Sequence, residues 1–126
     1  MELKIKNCPI ELSLTVLGRK WVIPILRDSL RGTKRFSDYL KNNPTLSTKV
    51  LSQRLVELEE YGFLTKKVIS TTPLRAEYEL TEKGRDVHEI IVSLAYFGLK
   101  HYRKEIFDPV PQMSFEELKE FYLSNV

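Results

Sequence analysis

One cysteine, two histidines, five glycines and a single tryptophan among 126 residues leave several function classes without the residues they need. Cys8 alone cannot build an intrachain disulfide framework, which suits a reducing compartment, and the cytoplasm is the expected location. His88 and His101 stand 13 positions apart with no Cys or His at ligand spacing from either, so no metal site is expected. No glycine-rich phosphate loop, nucleophile elbow or spaced pair of catalytic carboxylates occurs, so neither an enzyme nor a bound cofactor is expected. Apolar runs fall short of the roughly 18 to 20 residues that span a bilayer, and no signal-peptide pattern opens the chain. A membrane partner is therefore not expected.

What remains is an ordinary globular composition, 42% hydrophobic and 29% charged, enough for one domain over 1–126 with a sizeable core. The charge is unevenly placed. Residues 1–75 carry 14 Lys and Arg against 7 Asp and Glu, whereas residues 76–126 carry 6 against 10. A basic front and an acidic back suit a chain with one face on a polyanion.

The periodicity predicts a mainly α (α+β) fold: four helices, a hairpin, a long helix and a short one. Cys8-Pro9 opens the first helix, with Pro9 where a missing N–H costs nothing, and Leu12, Val16 and Leu17 form an inward stripe ended by Gly18. The stretch from Lys20 to Leu30 is apolar at helical spacing, but Pro24 requires that its helix begin at about Val22 or be kinked. Phe36, Tyr39 and Leu40 face inward on a third short helix that ends before Pro44. Ser47 caps a fourth helix with Leu51, Leu55 and Leu58 inward, and Gly62 is its terminating glycine. Two β-prone runs, 63–70 and 75–80, are joined by Thr71 to Leu74, with Ala76, Tyr78 and Leu80 alternating against Arg75, Glu77 and Glu79. Thr81 caps a long helix, 81–102, and a capping box from Ser114 to Glu117 opens an extra helix over 114–124.

The fourth helix is charged differently at its two ends. Thr48, Lys49, Ser52 and Gln53 offer hydrogen-bond donors early on the exposed face, while Glu57, Glu59 and Glu60 crowd the other end. DNA phosphate would repel that acidic end, so such a helix can enter a major groove only by its N-terminal turns, where its dipole also favours phosphate. A helix, a turn, this helix and then a hairpin with Lys66, Lys67 and Arg75 near its tip is the order of a winged helix-turn-helix. The competing reading is a winged helix used as a protein-interaction module without DNA. Such a module needs no cations at both helix and hairpin, where this chain has Lys49, Arg54, Lys66, Lys67 and Arg75.

Cys8-Pro9, the GRKW of Gly18 to Trp21, the ILR of 25–27, RFSDY after Gly32, the run from Leu46 to Leu64, and EYELTEKG from Glu77 to Gly84 occur in order. Together they make the chain resemble the HxlR-type winged-helix transcription regulators, relatives of the MarR group, over roughly residues 8–102. The resemblance implies a homodimer on double-stranded operator DNA, with the 47–60 helix in the major groove and the 65–76 hairpin as the wing. A repressor acting on an inverted repeat is expected. The candidate DNA-contacting residues are Arg35, Ser47, Thr48, Lys49, Ser52, Gln53, Arg54, Lys66, Lys67, Thr71 and Arg75. Pro24 and the tail beyond about Phe107 depart from the family pattern.

The long helix carries more apolar side chains than one stripe holds, so a second copy of the chain is its expected cover. Leu12, Val87, Ile90, Ile91, Leu94, Phe97, Leu99 and Phe121 are the expected interface. Some relatives use a cysteine at the place of Cys8 to sense oxidants or electrophiles, which makes Cys8 a candidate redox sensor. The plainer reading is a small, half-buried residue beside the dimer interface. A small-molecule effector between the long helix and the DNA-binding part is a further expectation that no residue pattern specifies.

Overall fold

The computed structural model describes residues 2–125, with the chain divided into two compact units, Met1–Arg85 and Asp86–Val126. The first unit holds α1 (Pro9–Leu17), α2 (Val22–Leu30), α3 (Phe36–Asn42), α4 (Thr48–Glu60), β1 (Leu64–Thr71) and β2 (Leu74–Leu80). A long helix, α5 (Glu82–His101), starts there and runs into the second unit, which also contains α6 (Arg103–Ile106) and α7 (Phe115–Asn125).

The core of the first unit is assembled from Val16, Val22, Ile25, Leu26, Tyr39, Leu46, Leu51, Leu55, Leu58, Phe63 and Leu64, all buried. Pro24 causes no kink. Trp21, the residue before the first turn of α2, takes φ 75°, and the helix starts at Val22 so that Pro24 falls at its third position. The first helical N–H groups have no intrahelical acceptor, so a proline there removes nothing.

α1 departs from its expected inward stripe. Of its residues only Val16 is buried, while Ile10, Leu12 and Leu14 are 56–70% exposed. Its contact with the core is confined to the C-terminal end, and the first two turns carry an apolar face that no described residue of the unit covers.

The hairpin follows α4 through Gly62, whose φ of 81° lets the chain leave the helix with no Cβ penalty. Phe63 N–H then bonds to Leu58 O at 2.8 Å. β1 and β2 pair antiparallel from Leu64 opposite Leu80 at the base to Thr71 opposite Leu74 at the tip. The expected in-out alternation of β2 is absent: Glu77 and Glu79 are as half-buried as Ala76, Tyr78 and Leu80, and β1 is exposed from Thr65 to Ile69. Only the base of the ribbon rests on the core. The outer edge of β2 is anchored by Tyr78 N–H donating to Lys34 O at 2.8 Å, with Lys34 Nζ 3.6 Å from Glu79 Oε1.

Thr81 joins hairpin to helix. Its hydroxyl accepts from Gly84 N–H at 3.1 Å, capping α5, and lies against the carbonyls of Gly62 and Phe63. Gly84 sits so close to the hairpin base that a Cβ there would come within 2.2 Å of Phe63 O.

In the second unit α5 stops one residue short of the expected end, and the four-residue α6 follows. The Ser114–Glu117 capping box forms as expected, with N–H to side-chain bonds of 3.1 and 3.3 Å in the two directions. On α7 Leu118 is fully buried, Phe115 and Tyr122 are half-buried, and Phe121 is 50% exposed. Phe115 meets Tyr96 edge-on with ring centres 6.4 Å apart, and the Lys119 ammonium lies 4.7 and 5.3 Å from their centres. No described helix is long and apolar enough to cross a membrane.

Candidate nucleic-acid interface

The exposed face of α4 is set by what fixes the helix behind it. Leu51, Leu55 and Leu58 are at most 1% exposed, locking its rotation about its own axis. The Ser47 side chain accepts from Val50 N–H at 3.1 Å and defines where the helix begins. The approach to that start is held by a buried polar group. Asp28 on α2, 2% exposed, receives Asn43 Nδ2 at 2.6 Å and Arg27 at 3.1 Å. Asn43 also donates to Tyr39 O at 2.8 Å and accepts from Arg27 at 3.1 Å. The Tyr39 hydroxyl donates to Thr33 O and lies 2.6 Å from that of Ser29. Burial, with the Asp28 charge added, pushes the Tyr39 phenol up to about 12. Every buried side-chain polar atom among the described residues has a partner, so this network is saturated.

With the helix fixed, Thr48, Lys49, Ser52 and Gln53 are all exposed on its N-terminal half, as expected. Their side chains make no hydrogen bond or ion pair with any described residue and remain available to a ligand. The C-terminal half is less acidic than its sequence implies. Glu59 and Glu60 are exposed, but Glu57 is held between Arg54 Nη1 at 3.2 Å and Arg19 Nη1 at 3.0 Å. Hydrogen bonding and the charge of Glu57 raise the Arg19 guanidinium above its ordinary value.

Arg54 is placed differently from its expected companions. Its Nε donates to Lys20 O at 2.7 Å and its Nη1 to Glu57, and its side chain is 19% exposed. It is directed along the protein surface rather than outward with Gln53. Arg35 precedes α3 and is exposed, without a side-chain cap bond.

The wing cations are not gathered at the tip. Lys66 opposes Tyr78 and Lys67 opposes Glu77, midway along the ribbon. Arg75 opposes Ser70 next to the tip, beside exposed Thr71. Neighbouring strand residues point to opposite faces, so Lys66 and Lys67 cannot both meet one surface. The bulge at Ile69 preserves this division: Lys66, Val68, Thr71 and Leu74 share one face, and Lys67, Glu77, Ser70 and Arg75 the other. The tip itself is apolar, with Val68, Ile69 and Leu74 each about half exposed or more.

The residues that orient α4, namely Arg19, Asp28 and Asn43, were not among the sequence candidates. One signal was present: Asp28 and Ser29 stand within the otherwise apolar face of α2 beside Ile25 and Leu26.

A helix, a turn, a capped helix with an open polar N-terminal face, and a ribbon behind it can dock on a groove-shaped polyanion. Comparison with known proteins decides the family. The model described as HxlR-like helix-turn-helix matches residues 16–106. The chain belongs to the HxlR-like family.

Its relatives include the Bacillus subtilis helix-turn-helix transcriptional regulators YtcD, 36% identical over 104 residues and 82% of each chain, and YvaP, 42% identical over 67% of this chain and 79% of that one. Among solved structures, the reduced form of the redox regulator HypR superposes with a TM-score of 0.69 at 31% identity, covering 74% of this chain and 92% of the other. This HxlR-like protein is thus a winged-helix transcription regulator, with β1–β2 as its hairpin wing.

Two further groups of candidates lie elsewhere on the regulator. Cys8 is the N-cap residue of α1 and is exposed rather than half-buried. On α5, Ile90, Leu94 and Phe97 are 41–58% exposed and, with Glu89 and Ser93, line a shallow groove of about 510 Å³. Ile91 is half-buried beside them. Val87 and Leu99, expected in the same seam, are 2% and 4% exposed within the chain and have almost no surface left to offer a second one.

Proposed function

We propose that this HxlR-like regulator binds double-stranded operator DNA as a homodimer and represses transcription from an inverted-repeat site. The observation that carries this reading is the open N-terminal face of α4, where Thr48, Lys49, Ser52 and Gln53 project from a helix whose opposite side, Leu51, Leu55 and Leu58, is buried in the core. Lys49 and the positive end of the helix dipole draw phosphate, and Ser52 and Gln53 supply the donors and acceptors that distinguish base edges. Ser47 and Thr48 lie at the helix start, where hydroxyls and free N–H groups suit a phosphate. Lys66 and Thr71, on one face of the ribbon, and Arg35 add contacts to the backbone.

The dimer rests on the exposed stripe of Ile90, Leu94 and Phe97. Their i, i+4, i+7 spacing makes one continuous apolar face, and leaving its exposed half in water forgoes about half of the roughly 1.5–3 kcal/mol that full burial of each side chain gives. A two-fold axis would bury the stripe against its copy, and exposed Leu12 and Phe121 are further apolar positions for that contact. A cytoplasmic location goes with this reading. A redox or small-molecule effector is compatible with this reading, since HypR is a redox regulator and Cys8 is exposed here.

Fluorescence anisotropy with a labelled inverted-repeat operator and a scrambled duplex tests the proposal. The wild type should prefer the operator at every salt concentration. A variant with Lys49, Ser52 and Gln53 all changed to Ala should keep its circular dichroism spectrum and bind both duplexes alike. Undiminished preference in that variant would remove α4 from the reading.

A further inference from the structure

Arg54 lies in the middle of the recognition helix yet reaches backward to the turn between α1 and α2. Its Nε donates to Lys20 O at 2.7 Å, across 34 positions of sequence, while its Nη1 holds Glu57 at 3.2 and 3.4 Å. The same Glu57 takes Arg19 Nη1 at 3.0 Å. Two guanidinium groups, one carboxylate and one carbonyl thus tie α4 to residues 19 and 20.

The bonded carbonyl is not an arbitrary one. Lys20 O belongs to the peptide unit whose nitrogen is that of Trp21, and the orientation of this unit fixes the Trp21 φ angle. That angle is 75°, the only positive φ at a non-glycine among the described residues. A bulky L-residue in the left-handed region is strained and persists only where its surroundings hold it. Arg54 is directed at the peptide that needs holding. α2 begins at the next residue, so the strained turn also sets where that helix starts.

We propose that Arg54 is a positioning residue rather than a DNA contact: with Glu57 and Arg19 it clamps the recognition helix to the Lys20–Trp21 peptide, making the pitch of α4 and the conformation of the α1–α2 turn a single coupled unit. The inference rests on the reading that α4 docks on DNA. It separates Arg54 from Lys49 and Gln53, which face solvent from the same helix. It also gives α1 a route to the operator, because α1 leads directly into the clamped turn.

Trp21 is the only tryptophan in the chain, so its emission reports on this turn alone. Arg54→Ala and Arg54→Lys should both shift the Trp21 emission of the free protein. Lysine keeps the charge but lacks the fork that serves a carbonyl and a carboxylate at once. Operator affinity should fall on the order of tenfold in each, and adding Glu57→Gln to Arg54→Ala should cause little further loss, as for members of one network. The slope of log affinity against log salt should stay that of the wild type. A phosphate contact would instead lower that slope by about 0.9 in Arg54→Ala, with Arg54→Lys largely restoring it.

Thermal unfolding monitors the fold throughout, and Glu57→Gln alone carries the same two readouts should Arg54→Ala fail to fold. An unshifted Trp21 emission, or a reduced salt slope, overturns the proposal. The emission is read without DNA, so a wild type that binds no duplex would sink the DNA-binding reading while the clamp is still tested.

Discussion

Asn43 Nδ2 lies 2.6 Å from Asp28 Oδ2, a contact between the turn that enters α4 and the buried face of α2. Both residues are at most 5% exposed, so this carboxylate has no water to replace a lost donor. Asn43→Ala should destabilise the protein by about 2–4 kcal/mol, the cost of leaving a buried charge short of a partner. Chemical denaturation measures it. A loss below about 0.5 kcal/mol, the range of an ordinary surface substitution, would mean that Asp28 is satisfied without Asn43.

Tyr39 belongs to the same network and gives it a pH signature. An acid whose folded pKa is raised binds its proton more tightly when folded, so its stabilisation is complete below the unfolded value and is lost as pH rises through the folded one. With the phenol at about 12, against about 10 unfolded, that loss falls between about pH 10 and 12. In an ultraviolet titration Tyr39 should be among the last of the six tyrosines to ionise, and the ionisation missing from Tyr39→Phe should be a late one. A Tyr39 that ionised near pH 10 would contradict the buried placement.

Local signals carried much of this fold. Ser47 as cap, Leu51, Leu55 and Leu58 as inward stripe, Gly62 as terminator and the Ser114–Glu117 box can each be read within one or two helical turns of sequence. The helix-turn-helix and its open face follow from them. The contacts that orient α4 cannot be read that way. Asn43 meets Asp28 across 15 positions and Arg54 meets Lys20 across 34, and no local pattern encodes either meeting. The wing shows the same division. Two β-prone runs are visible in sequence, but which lysine faces which way depends on the pairing register and on the bulge at Ile69. The helical period of α5 revealed surplus apolar residues without separating buried Val87 and Leu99 from exposed Ile90, Leu94 and Phe97.

The division of the wing makes the two lysines unequal. Lys67 stands directly across from Glu77, a carboxylate that phosphate would repel from that face, whereas Lys66 stands across from Tyr78. Lys66→Ala should lower the slope of log affinity against log salt by about 0.9, the value of one phosphate contact, and Lys67→Ala should change it less. Anisotropy titrations at four or five salt concentrations resolve the two. A larger effect at Lys67 would put the opposite face of the ribbon on DNA.

A charge in the centre of the α5 stripe should break the dimer. Leu94 is 52% exposed, so Leu94→Glu should leave the chain folded while placing a carboxylate against its copy across the two-fold axis. Light scattering at low micromolar concentration should give twice the 14.8 kDa chain mass for the wild type and the single chain mass for the variant. A wild-type monomer would remove the dimer from the account, and a dimeric Leu94→Glu would place its seam elsewhere.

The central claim, that α4 reads an operator, is tested most directly by selecting bound duplexes from a random DNA pool with the wild type and with Gln53→Ala. The wild type should enrich an inverted repeat with half-sites about 10–11 base pairs apart or near a multiple of that. Gln53→Ala should enrich the same repeat with one position per half-site relaxed by roughly 1–3 kcal/mol of discrimination. A pool that stays random with the wild type, or an identical profile from the two proteins, would contradict the account.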